Sequence, residues 1–221
     1  MGTITRSFAN NITTSGVLLP ASLVNNSIAN VTSYNAAVAT GNMVLISSQT
    51  ASASASISFT TGIDSTYKEY QFYFINCHPA TDGVRFTFNL STDSGSNYNV
   101  TKTSTFFRAH HSESGIDPSL AYEGAEDLAQ STAFQSLNYV IDNDNDSSIS
   151  GSLTLFNPSS TTYVKHFIAN TNILHDNPSV PYTINGYLAG YGNTTSAINA
   201  VQFKMSSGNI DDGVILMYGI V

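Results

Sequence analysis

Between Gly83 and Leu90 the chain reads Gly-Val-Arg-Phe-Thr-Phe-Asn-Leu. Val84, Phe86, Phe88 and Leu90 fall on one phase of a two-residue period; Arg85, Thr87 and Asn89 fall on the other. Only an extended strand sends alternate side chains to opposite faces. The period therefore predicts a β-strand with one buried face and one wet face. The same alternation runs from about residue 56 to residue 145, punctuated by Ser, Thr, Asn and Gly.

Further strands are predicted at Asn42–Ser47, Ser56–Thr60, Lys68–Asn76 and Tyr98–Ala109. After the middle stretch come Ser148–Asn157, Thr162–Asn170, Ile184–Tyr191, Ile198–Met205 and Gly213–Val221. The small-residue run Ala51–Ser56 fits either a close-packed strand or a linker. Thr61–Asp64, Pro79–Gly83 and Asp93–Asn97 are predicted turns, because Gly tolerates positive φ and Asp bonds its own backbone. Short strands at this regular spacing predict an all-β fold, an antiparallel β-sandwich or jelly roll. The last strand reaches Val221, so the chain is expected to close inside the fold.

Residues 1–40 have a different texture. Asn, Thr, Ser and Ala dominate, with isolated apolar residues, and Gly16 and Pro20 interrupt any regular element. They are expected to form an extended N-terminal arm, with the β domain occupying 41–221. Phe8, Ile12, Leu18 and Leu19 are its candidate anchors. So short a segment buries too little surface alone to offset its ordering entropy, so it needs another surface to lie on.

Charged residues make up 10% of the chain, against roughly 25% in average proteins. Solubility must come from hydroxyl and amide groups. The net charge is −8, from seven Lys and Arg against fifteen Asp and Glu, with no basic cluster. That balance argues against nucleic-acid binding, which needs cations to displace phosphate counterions. It disfavours anionic lipid for the same reason. No apolar run reaches the ~18 residues of a membrane span, and Met1–Arg6 is not followed by the apolar stretch of a signal peptide. Synthesis in the cytoplasm without a signal peptide is the expectation. Cys77, the one cysteine, reads as a small buried hydrophobe.

Few motifs carry chemistry. Asp142-Asn143-Asp144-Asn145-Asp146 opens like a calcium loop, but Ser147 and Leu153 stand where an EF-hand needs Gly and Glu. A calcium site of another kind stays open there; no other cofactor is expected. His110 and His111 cannot ligate one ion from a regular strand, since neighbours point to opposite faces. The connection Glu113–Asn138 is long enough to be functional. It contains the one plausible short helix, Gly124–Gln130, and the acids Glu113, Asp117, Glu123, Glu126 and Asp127. On a helix, Glu123 would share a face with Glu126 or Asp127, the pairing a glycoside hydrolase requires. Tyr67, Tyr70, Tyr73, Tyr98 and Tyr122 are candidates for a sugar-stacking surface or for cross-strand packing. Ligand-facing loops are expected at 113–138 and 142–147, with Glu113, Asp117, Tyr122, Asp142 and Asp144 as candidate contacts.

Three stretches resemble virion structural proteins of tailed bacteriophages, chiefly aquatic phages. They are Ser58–Tyr70 followed by His78–Phe86, then Ser91–Thr101, then Phe203–Ile210 with Leu216–Ile220. The resemblance implies a β-rich, homotrimeric protein of the virion surface, partnered by other capsid or tail proteins, and it carries no site residues over. The leading expectation is a non-enzymatic capsid decoration or short fibre component anchored by the arm. A tail-fibre module for host attachment, recognising a surface glycan, is the alternative, and a polysaccharide-degrading enzyme a second one.

Overall fold

The alternating sequence folds as its period demands. The computed structural model describes residues 42–176 and 180–221, and within them it has twelve strands and no helix. The strands are β1 (Met43–Ser54), β2 (Ile57–Phe59), β3 (Glu69–Pro79), β4 (Phe86–Ser91), β5 (Lys102–Ser112) and β6 (Ser119–Tyr122). They continue with β7 (Gln135–Ser136), β8 (Ile149–Phe156), β9 (Lys165–His175), β10 (Tyr182–Gly192), β11 (Ala200–Met205) and β12 (Ile210–Ile220). Eight strands form one antiparallel sheet in the order β1-β12-β3-β8-β9-β10-β5-β6, and four form a second in the order β2-β11-β4-β7. The anchor candidates Phe8, Ile12, Leu18 and Leu19 lie outside the described residues.

The sheets face each other as a sandwich. Phe203 of β11 sits at the centre, 5.3 Å and 5.2 Å from the rings of Phe72 and Phe74 on β3. Phe88 of β4 meets Phe167 of β9 edge-on at 5.2 Å. Edge-to-face contact suits the ring quadrupoles, and burying each Phe contributes about 1.5–3 kcal/mol. Cys77 is buried in the same core, where desolvation pushes its thiol up to about 12. The Ala51–Ser56 ambiguity resolves toward strand, since β1 continues to Ser54 along β12.

Two expectations are overturned. The second face of the Gly83–Leu90 strand is wet only at Arg85: Thr87 and Asn89 are buried like their apolar neighbours. The chain between β6 and β7 folds over that face and ends as β7, paired with β4. Asn89 donates to the carbonyls of Tyr98 and Thr132, while its own oxygen receives the buried Lys102 ammonium. The helix at Gly124–Gln130 is not formed either. Only one turn closes, from the Glu126 amide to the Glu123 carbonyl. The backbone beyond it is taken by β5: Ser104 donates to Leu128, and Lys102 and Ser131 exchange both bonds. A backbone paired with a strand has no groups left for i→i+4 bonds.

Candidate functional site

Inward-facing positions on the two strands that flank β10, at one end of the large sheet, carry polar side chains where the alternation calls for apolar ones. On β5 these are Arg108 and His110; on β9 it is His175, the inward residue after Phe167, Ala169, Thr171 and Ile173. With Asp117, Tyr139, Tyr182 and Ile184 they line an open cavity of about 240 Å³.

Its two imidazoles are held in opposite states. His175 Nδ1 lies 2.6 Å from the Asp142 carboxylate, which also accepts the Asp176 amide at 2.8 Å. A carboxylate only accepts, so Nδ1 carries a proton. His110 Nδ1 faces Arg108 Nη1 at 2.6 Å. A guanidinium only donates, so here Nδ1 accepts and Nε2 holds the proton, 3.7 Å from Asp117. Arg108 is itself paired with Glu123 and lies over the Tyr139 ring at 4.3 Å. Both imidazoles pack against Tyr182, His110 edge-on at 5.4 Å. The cavity thus sets hydrogen-bond donors and acceptors around aromatic and aliphatic carbon.

Of the residues expected to face a ligand, the structure brings two together here. Asp117 lines the cavity, and Asp142 stands behind His175 as its anchor. Glu113 is exposed nearby, its amide donating to the Pro181 carbonyl. Tyr122 lies apart on β6 and donates to Asp127. Asp144 is exposed at the turn, its carbonyl accepting the Ser147 amide. Asp142 and Asp144 therefore have separate surroundings, and among the described residues no three His, Cys, Asp or Glu side chains are grouped to hold a metal.

Two acids of the hydrolase alternative have different partners. Glu126 has a fully buried side chain and grips Arg85 of the 83–90 segment with both oxygens. Glu123 turns instead to Arg108. The five tyrosines do not form one surface, because Tyr70 is buried with its hydroxyl on Asp64. Arg108, Tyr139, His175 and Tyr182 were not singled out from the sequence. The signal for Arg108 and His175 was present as a polar residue on the inward phase of a strand.

No protein-family model, curated protein or solved structure matches the chain.

Proposed function

We propose that the chain is a non-enzymatic structural protein of a phage particle surface. It serves as a capsid decoration or short fibre component, self-associates as a homotrimer, and attaches through residues 1–40. The observation that carries this reading is how its charge is used. Of the six Lys and Arg among the described residues, four are internal braces. Arg85 and Arg108 hold Glu126 and Glu123 against the strands, and Lys102 and Lys165 are wholly buried on backbone and amide oxygens. A chain that spends its few cations on bracing is built as a rigid body. The test is the mass of the purified chain in solution, full length and lacking residues 1–40, together with immunodetection on purified particles. A trimer found on particles supports the reading. A monomer that never co-purifies with particles overturns it.

A second reading has its own observation, the cavity around His110 and His175. There the chain is a fibre module that recognises a host-surface glycan. Binding to a glycan panel that Asp117→Ala abolishes, with the fold intact, supports this reading. Depolymerisation of any polysaccharide in the panel, lost in Glu123→Gln or Asp127→Asn, favours the enzyme alternative instead.

A further inference from the structure

We propose that the outward face of the eight-stranded sheet is the surface through which copies of this chain join. The inference rests on the self-association part of the reading above and assigns its contact.

The face follows from register. Tyr122 pairs with Phe107, Phe107 with Tyr187, and Tyr187 with Asn170; the same row continues through Ser152 to Tyr73. The Phe107 and Tyr187 rings stack at 5.0 Å on open surface. Around them Leu120, Tyr122 and Ile168 are 72%, 59% and 54% exposed. Monomeric proteins rarely leave a large apolar patch uncovered. Beside this cluster a shallow groove of about 420 Å³ runs between Ile168 and Ala189 on one side and His166 and Tyr191 on the other. Its floor is backbone at Gly190, where a side chain would strike the Phe167 ring and the Thr103 carbonyl. The surface therefore offers both a ridge and a recess.

Charge selects the occupant. The chain carries −8, so two copies repel wherever their acidic loops meet. The outward positions of β1, β5, β6, β8, β9 and β10 hold no Asp, Glu, Lys or Arg. β3 adds only Glu69, and the acids of β12, Asp211 and Asp212, stand beyond an irregularity at its start. Two such faces meet without opposing like charges, and they offer nothing to nucleic acid or an anionic membrane. A tyrosine-rich, charge-depleted patch is the composition of interface cores. The area is sufficient: eight strands of up to 12 residues span roughly 1,000 Å² at strand geometry. A stable interface needs about 800 Å² per partner.

The experiment compares the full-length wild type with Ile168→Lys and Tyr187→Lys, by light scattering and sedimentation over a concentration series. Ile116→Lys, at a still more exposed apolar residue on a loop, is the control. Thermal melts establish that each variant folds. The expected result is an oligomer for wild type and Ile116→Lys, with dissociation constants raised about tenfold or more in both face variants. Folded face variants that keep the wild-type mass overturn the assignment while leaving self-association standing. A wild type that stays monomeric overturns the underlying reading as well. Hydroxyl-radical footprinting of the wild type gives a second measurement that needs no variant. Protection of Phe107, Tyr122 and Tyr187 that grows as the oligomer forms supports the proposal. Unchanged labelling of all three while the mass rises overturns it.

Discussion

Arg85 reaches Glu126 across 41 residues of sequence and holds both of its carboxylate oxygens, with Arg85 Nη2 at 2.6 Å and Arg85 Nε at 2.7 Å. The Glu126 side chain is inaccessible to solvent, whereas Arg85 remains about one-third exposed. This pair clamps the long Glu113–Asn138 connection onto the small sheet, and it converts an acid that looked catalytic into a fastening.

Replacing Glu126 by Gln keeps the shape but removes the charge that Arg85 was placed to meet. Because Arg85 still reaches water, the loss is smaller than for a wholly buried pair. It is expected to be about 2 kcal/mol. Urea denaturation of the two proteins at neutral pH measures it. An unchanged midpoint would mean that the clamp contributes nothing net.

Lys102 makes stability depend on pH in an unusual direction. Burial pulls its ammonium down from 10.5 to about 7, with only Asn89 and the Val100 carbonyl as partners. In the unfolded chain the group keeps its proton to about pH 10.4. Between those values the unfolded state binds more protons, so stability rises with pH from about 7 toward 10. Below pH 7 both states are protonated and the folded state bears the full cost of the buried charge. Burial lowers Lys165 too, adding in the same direction. Above about pH 10 the raised Tyr70 phenol works against the trend, because the folded state then holds the extra proton. Denaturation at pH 6.5, 8 and 9.5 is expected to show the rise. Lys102→Met is expected to flatten most of it.

Asp142 fixes the tautomer of His175. Asp142→Ala removes the acceptor on Nδ1 and also strands the Asp176 amide. The expected loss is about 1–3 kcal/mol, with the proton redistributing toward Nε2. Long-range proton–nitrogen NMR correlation reads the tautomer directly. If His175 keeps Nδ1–H in the variant, Asp142 is not what orients it.

Two glycines with positive φ separate backbone preference from space. At Gly151 an added Cβ would lie 2.3 Å from the Asn170 carbonyl oxygen and 2.7 Å from the Thr171 Cα, both main chain on β9. At Gly83 nothing lies within 4 Å. Gly83→Ala is expected to cost about 1 kcal/mol from φ alone. Gly151→Ala must part β8 from β9 and is expected to cost about 3 kcal/mol or more. Equal thermal shifts for the two variants would contradict this account.

The strands were legible in the sequence because their signal is local. Val84, Phe86, Phe88 and Leu90 identify a strand whatever the rest of the chain does, and the same holds for Phe167, Ala169 and Ile173. The all-β class and nearly every strand follow from that period alone. The burial of Asn89 was not legible, because it depends on a covering segment some 40 residues further on. The candidate cavity was half legible. Of the 113–138 and 142–147 loops, the first supplies Asp117 and the second Asp142, both named from the sequence. Arg108, His110 and His175 converge only because β10 separates β5 from β9 and sets their registers.

Composition also constrained the surface, since a chain with so little charge must expose hydroxyls, amides and tyrosines. Which of these share one open face, and which brace the interior, was decided by strand order and register. The reason is physical. Alternation is a property of a single backbone, set within two or three residues by the geometry of the extended chain. Pairing across strands is a property of the packed whole, in which Asn89 and Lys102, or Phe107 and Tyr187, meet only after distant segments have closed on one another.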